Sequence, residues 1–230
     1  MNDVGPRLSK LILFCAALNA ALHLVASIRA RGLRRSALFF VLGTGLPAAG
    51  ELLATGPLKL LRHRLRHRVA GVPLAILLGW YAAIHGSLAV AKRASQRAYL
   101  EEDAQRRTVP ALAALVGVSL DLILDPAGLD IGLWEWNADG AYAPEIQGAN
   151  RRGGVPLVNY LGWLVLVGGV VYVYGLACQD DDEEGELLPA LLLLPYYLAA
   201  VGWALKRRRL GYLIYSAPFP LALYEALQKR

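Results

Sequence analysis

Long apolar runs, separated by short charged segments, set the pattern of this chain. Seven stand out: Leu8–Ile28, Ser36–Thr55, Val72–Ala91, Val109–Leu124, Pro156–Cys178, Leu187–Leu205 and Leu210–Leu227. A helix needs about 20 residues to cross a bilayer. The fourth run is shorter than that, and Pro218 and Pro220 interrupt the seventh. In lipid every backbone polar group must be satisfied internally, which favours helices. The runs are too long and too little alternating for barrel strands. The pattern predicts an all-α fold, a polytopic membrane helix bundle of six or seven transmembrane helices, seven favoured, in a single integral membrane domain over 1–230. The first run follows Arg7 and Lys10 as a signal peptide would. It is longer than the usual apolar region of such a peptide, and further spans follow, so it is read as the first helix.

One phrase occurs twice. Gly71–Trp80 is GVPLAILLGW and Gly154–Trp163 is GVPLVNYLGW. They open the third and fifth predicted helices, an even number of spans apart, so those helices run in the same direction. Helices two and three, and helices four and five, then form parallel repeat halves, 36–91 and 109–178. Pro in a first helical turn costs no donor and presets φ. Gly79 and Gly162 are expected to admit a neighbouring helix closely. The second copy differs by carrying the polar pair Asn159 and Tyr160.

Composition agrees with the pattern: 56% of the 230 residues are hydrophobic and the net charge is +6. The Lys and Arg lie in short segments between spans. They read as topology determinants and lipid-headgroup contacts, not as a nucleic-acid surface. They divide almost evenly between the two ends of the bundle, so orientation and oligomeric state stay open. Cys15 and Cys178 fall inside predicted helices, with neither metal-ligand spacing nor a disulfide framework.

Counting spans brings the unusual polar residues to one end. Helix two closes with Glu51 in GELLATGP, and helix four with Asp121 and Asp125 in DLILDP. Helices three and five start at that same end, bringing Trp80, Asn159, Tyr160 and Trp163. Carboxyls at lipid depth are expensive, so they are candidates for chemistry. Asp121 and Asp125, four residues apart, share a helix face. Two carboxyls that close in a dry site repel, which favours keeping one of them protonated as a general acid. Alternatively, Asp125-Pro126 merely ends helix four. The loop Ala127–Gly154 holds Trp134, Trp136 and Tyr142, either belt aromatics or a lid that stabilises a cation through its π faces. His23 and His85 read as a helix–helix contact. His63 and His67, in the basic segment, read as a headgroup contact. The run Asp180–Glu184 resembles a cation-binding string but reads as solvated. No metal site and no cofactor is expected.

These segments, GELLATGP, GVPLAILLGW, DLILDP, GLWEWNADGAY and GVPLVNYLGW, resemble the integral membrane carotenoid biosynthesis proteins of the carotenoid 1,2-hydratase type, which include the bisanhydrobacterioruberin hydratases. The resemblance runs from Gly43 to Trp163. It departs from the family pattern at the basic LKLLRHRLRHR and at the intervening 143–153, both near the expected mouth of the site. It implies a hydro-lyase that hydrates a terminal isoprenoid double bond on an acyclic carotenoid end group, in the plasma membrane of a prokaryote. The partners implied are a carotenoid or other polyisoprenoid lipid substrate and membrane lipids. The residues suit that chemistry. Asp121 or Asp125 would be the acid, and Glu51 would hold or deprotonate the water. Asn159 and Tyr160 would position it, while Trp80, Trp134, Trp136, Tyr142 and Trp163 would line the substrate site. Rival readings are a membrane prenyltransferase using Asp121, Asp125 and Asp130, a small transporter built on the repeat, and a non-enzymatic scaffold.

Overall fold

A 50-residue helix, α1 (Pro6–Thr55), opens the fold, and it cannot be straight. A straight helix of that length would span about 75 Å. Yet both its ends meet one short segment. Val4 N–H donates to the Arg64 carbonyl at 2.9 Å and Arg66 N–H donates to Ser9 Oγ at 2.9 Å. Glu51, near the other end, bonds His63 at 2.8 Å. The reversal lies at Gly32, whose backbone is non-helical at φ 75° and ψ 167°. There Ser27 Oγ donates to Ser36 Oγ at 2.9 Å, although a straight helix would separate these residues by about 13 Å. Glycine takes this left-handed backbone without the steric cost other residues meet. α1 is therefore two antiparallel arms, matching the first two predicted spans. The end of the bundle holding Val4 and Glu51 is here called end A, and the end holding Gly32 end B.

The described residues of this computed structural model are 3–98, 101–148, 150–178 and 186–228. α2 (Leu74–Arg97) is the central helix, buried on all sides from Trp80 to Ala91. α3 (Glu102–Asp130) and α4 (Leu157–Ala177) pack beside it. α5 (Leu187–Leu191) and α6 (Leu194–Lys206) make one more apolar segment. Among the described residues, five helical segments are long and apolar enough to cross a membrane, the folded α1 counting as one. The last predicted span is divided, as its prolines suggest, into α7 (Gly211–Tyr215) and α8 (Pro218–Leu227). Neither alone is long enough to span. Together they still run the length of the bundle. Tyr212 donates to Glu145 at end A at 2.6 Å, and Arg93 near end B donates to the Ala226 carbonyl at 2.5 Å. The outer surface is apolar, with Leu11, Phe14 and Leu18 on α1 and Leu157, Leu161 and Val165 on α4 all exposed. That surface suits lipid rather than water. The fold is thus an all-α polytopic membrane bundle.

Two helix expectations change. The fourth run was expected to close at Leu124, before Asp125-Pro126; α3 instead continues to Asp130 with Pro126 inside it. Proline removes the helical donor to the carbonyl four residues back. That carbonyl is Leu122, and Tyr142 Oη donates to it at 2.7 Å. Asp125 therefore lies within a continuing helix. Gly79 and Gly162 do not admit a helix, since an added Cβ at either would meet no atom within 4 Å. The entries of the two phrases do match: Gly71 and Gly154 have φ of 91° and 79°, and Pro73 and Pro156 cap their helices in the same extended conformation.

End A carries three short antiparallel ladders within its connecting segments. β1 (Leu61–His63) pairs with β4 (Trp134–Trp136), β2 (Arg68–Val69) with β3 (Val72–Pro73), and β5 (Tyr142–Gln147) with β6 (Gly153–Val155). The basic segment thus contributes β1 and the start of β2, and the 143–153 departure contributes most of β5 and the start of β6. At end B, His23 and His85, fully buried, approach through their Nδ1 atoms at 3.1 Å, the expected helix–helix contact. The Asp180–Glu184 run lies outside the described residues.

Candidate active site

The acids come first from helix periodicity. Asp121 and Asp125, one turn apart on α3, both face α4 and are both buried. Asn159, in the first turn of α4, donates from its single amide nitrogen to Asp121 Oδ2 at 2.7 Å and to Asp125 Oδ2 at 2.7 Å. The two carboxyls therefore lie within twice that distance of each other. Asn159 spends its donors on the acids, so it orients them and has none left for a water. Glu51, also buried, is linked to this pair through the strands that cover it.

The β1–β4 ladder covers this cluster. Register pairs Leu61 with Trp136, Arg62 with Glu135 and His63 with Trp134. Directly opposed residues share a face of the ladder. One face therefore carries Leu61, His63, Trp134 and Trp136. The Trp134 Nε1–H donates to Asp125 Oδ1, and the Trp136 Nε1–H approaches the same oxygen at 3.4 Å. His63 Nε2 meets Glu51 Oε2 at 2.8 Å. The other Glu51 oxygen accepts Trp80 Nε1–H at 2.9 Å. Trp80 in turn stacks on Trp163 with ring centroids 4.1 Å apart. A frame of α1, α2 and α4 thus holds Glu51, and α3, α4 and the ladder hold the aspartates.

Tyr160 is buried, and its hydroxyl has no hydrogen-bond partner among the described residues. Tyr142 packs edge-on against it at 5.3 Å, but the Tyr142 hydroxyl is committed to the Leu122 carbonyl and not to a carboxyl. Burial, then Tyr215 and Asp121, push the Tyr142 phenol above its ordinary range, so it remains a donor. Asp130 turns elsewhere: Trp203 and Arg207 both donate to its Oδ2 at 2.9 Å.

One residue of the site escapes the sequence reading, and a second buried acid lies on the far side of the ladder. His63 was expected to touch headgroups; it is buried against Glu51 instead. Its signal was present, since Leu61, His63 and Leu65 alternate with Arg62, Arg64 and Arg66, the period of a half-buried strand. Glu135 is buried on the other face of the ladder, 3.6 Å from Arg62.

Fold and site together define a membrane helix bundle with a buried carboxyl cluster beneath an aromatic lid. The chain belongs to the carotenoid biosynthesis protein family, whose sequence profile matches residues 9–215. Its role therefore lies in carotenoid biosynthesis, as an enzyme acting on a carotenoid or related isoprenoid lipid. No curated protein and no solved structure matches the chain.

Proposed function

We propose that the protein is a hydratase that adds water across a terminal trisubstituted double bond of an acyclic carotenoid, within a prokaryotic plasma membrane. The observation that carries this reading is the Asn159 bridge between two buried aspartates. Indole N–H groups only donate, so the two indoles and one amide facing Asp125 favour it as the ionised acceptor. Among the described residues Asp121 has the single Asn159 contact and keeps an oxygen to hold a proton. In the proposed reaction Asp121 gives that proton to the less substituted alkene carbon, and a tertiary cation forms at its neighbour. Water adds to the cation and loses a proton, restoring the acid. Alkene and water are consumed and one tertiary alcohol is made, with no change in oxidation level.

Magnitudes rank the stabilising groups. A carboxylate about 4 Å from a cation contributes about 4 kcal/mol at an effective dielectric constant of 20. An aromatic face contributes about 0.5–2 kcal/mol. Asp125 and Glu51 thus outweigh Trp80, Trp163 and the lid indoles, which mainly exclude water and fit the polyene. The commitment of Asp130 to Arg207 and Trp203 weighs against the prenyltransferase reading, which needs that aspartate beside the other two. We also take 36–91 and 109–178 as copies of one hairpin within a single domain, supported by their matched entry turns.

The test uses the protein in membranes supplied with an acyclic carotenoid and heavy-oxygen water. Hydration predicts a product whose new oxygen comes from water. An oxygen-free product, or one labelled from dioxygen, would exclude the proposed chemistry.

A further inference from the structure

We infer that His63, held by Glu51, is the base that binds the attacking water and accepts its proton. This rests on the hydration reading above and assigns the one step that reading leaves without a named acceptor. Trp80 Nε1 can only donate, so Glu51 Oε1 accepts from it. An ionised Glu51 then accepts Nε2–H of His63 on its second oxygen, at 2.8 Å. A neutral imidazole with its hydrogen on Nε2 keeps a lone pair on Nδ1. That Nδ1 is buried and has no hydrogen-bond partner among the described residues. A lone pair left that way in a dry site costs free energy unless a donor arrives. Water is the donor the reaction consumes.

The ladder brings His63 to the side of the acid pair. His63 lies opposite Trp134, on the same face, and Trp134 bonds Asp125. The base and the acid pair are therefore covered by one rigid patch, anchored to Glu51 on one side and to Asp125 on the other. Glu51 itself has both oxygens occupied, so it orients the imidazole and does not reach the water. The step balances: a water O–H bond breaks as the oxygen bonds the tertiary carbon. The proton passes to Nδ1, and the imidazolium is stabilised by Glu51 until the alcohol has left and water entering the site carries the proton back to Asp121.

Separate roles for acid and base give separable readouts. In heavy water, protonation followed by loss of a proton from the cation leaves deuterium in recovered alkene, with or without water capture. The full chain in membranes, with an acyclic carotenoid in heavy water, is compared as wild type, His63→Gln and His63→Ala. Glutamine still donates toward Glu51 but cannot take a proton. Both variants are expected to lose alcohol formation by about 10²-fold, the scale of one general base, while deuterium entry into the alkene stays within about threefold of wild type. His63→Gln making alcohol at the wild-type rate would overturn the assignment. So would loss of alcohol and deuterium together at normal protein level, which would make His63 a support for the fold or the acid. Wild type showing neither alcohol nor exchange would instead remove the hydration reading beneath it.

Discussion

Buried carboxyls are the most informative residues in this chain, because lipid makes them costly. Their types and rough depth were legible from span counting alone. Their partners were not. Nothing in the sequence says that the Asn159 amide bridges Asp121 and Asp125, or that Trp80 reaches Glu51, because these contacts depend on helix rotation. His63 is obscured for another reason: its i, i+4 spacing with His67 suggests a shared helix face, whereas the period-2 alternation around it marks the strand it occupies. At this scale the roles predict unequal losses. Asp121→Asn should abolish alcohol formation, by at least about 10³-fold, with protein level in the membrane unchanged, as measured by pigment yield per protein. Trp163→Phe should cost about tenfold or less, since it alters only aromatic contact. If the two variants lost activity equally, the ranking of carboxyl over indole would fail.

Elements position those residues through a few backbone decisions. Helix α3 passes Pro126 because Tyr142 satisfies the carbonyl that the proline leaves free. Tyr142→Phe should therefore destabilise the bundle by about 1–3 kcal/mol, read as a lower thermal midpoint in detergent. Gly128 lies directly under the Trp134 ring, where an added Cβ would fall 2.1 Å from it. Gly128→Ala should push Trp134 off Asp125 and lower turnover while the helices persist by circular dichroism. Gly32 sets the reversal of α1, in a backbone region essentially confined to glycine, and Gly32→Ala should cost about 1–3 kcal/mol of stability. Most helices could be placed from apolar runs. The β1–β4 pairing could not: the alternation over 61–66 marks a strand, but its partner lies about 70 positions away, and hydropathy carries no record of pairing.

For the molecule as a whole, an enzyme made almost wholly of membrane helices suits a substrate that never leaves the bilayer. Its covered carboxyl cluster suits a cation that must meet one water and no more. A chelator should leave turnover unchanged, whereas a magnesium-dependent prenyl transfer would stop. The overall bundle was readable because length and hydropathy suffice for it; the lid was not, because it is assembled from two segments that each look like ordinary loop. The most direct test of the central claim is the mass of the pigment made in a host that supplies an acyclic carotenoid, with wild type beside Asp121→Asn. The account predicts that wild type adds one water to an end group and that the variant adds none. Unchanged pigment with abundant wild-type protein, or equal hydration by the variant, would contradict it.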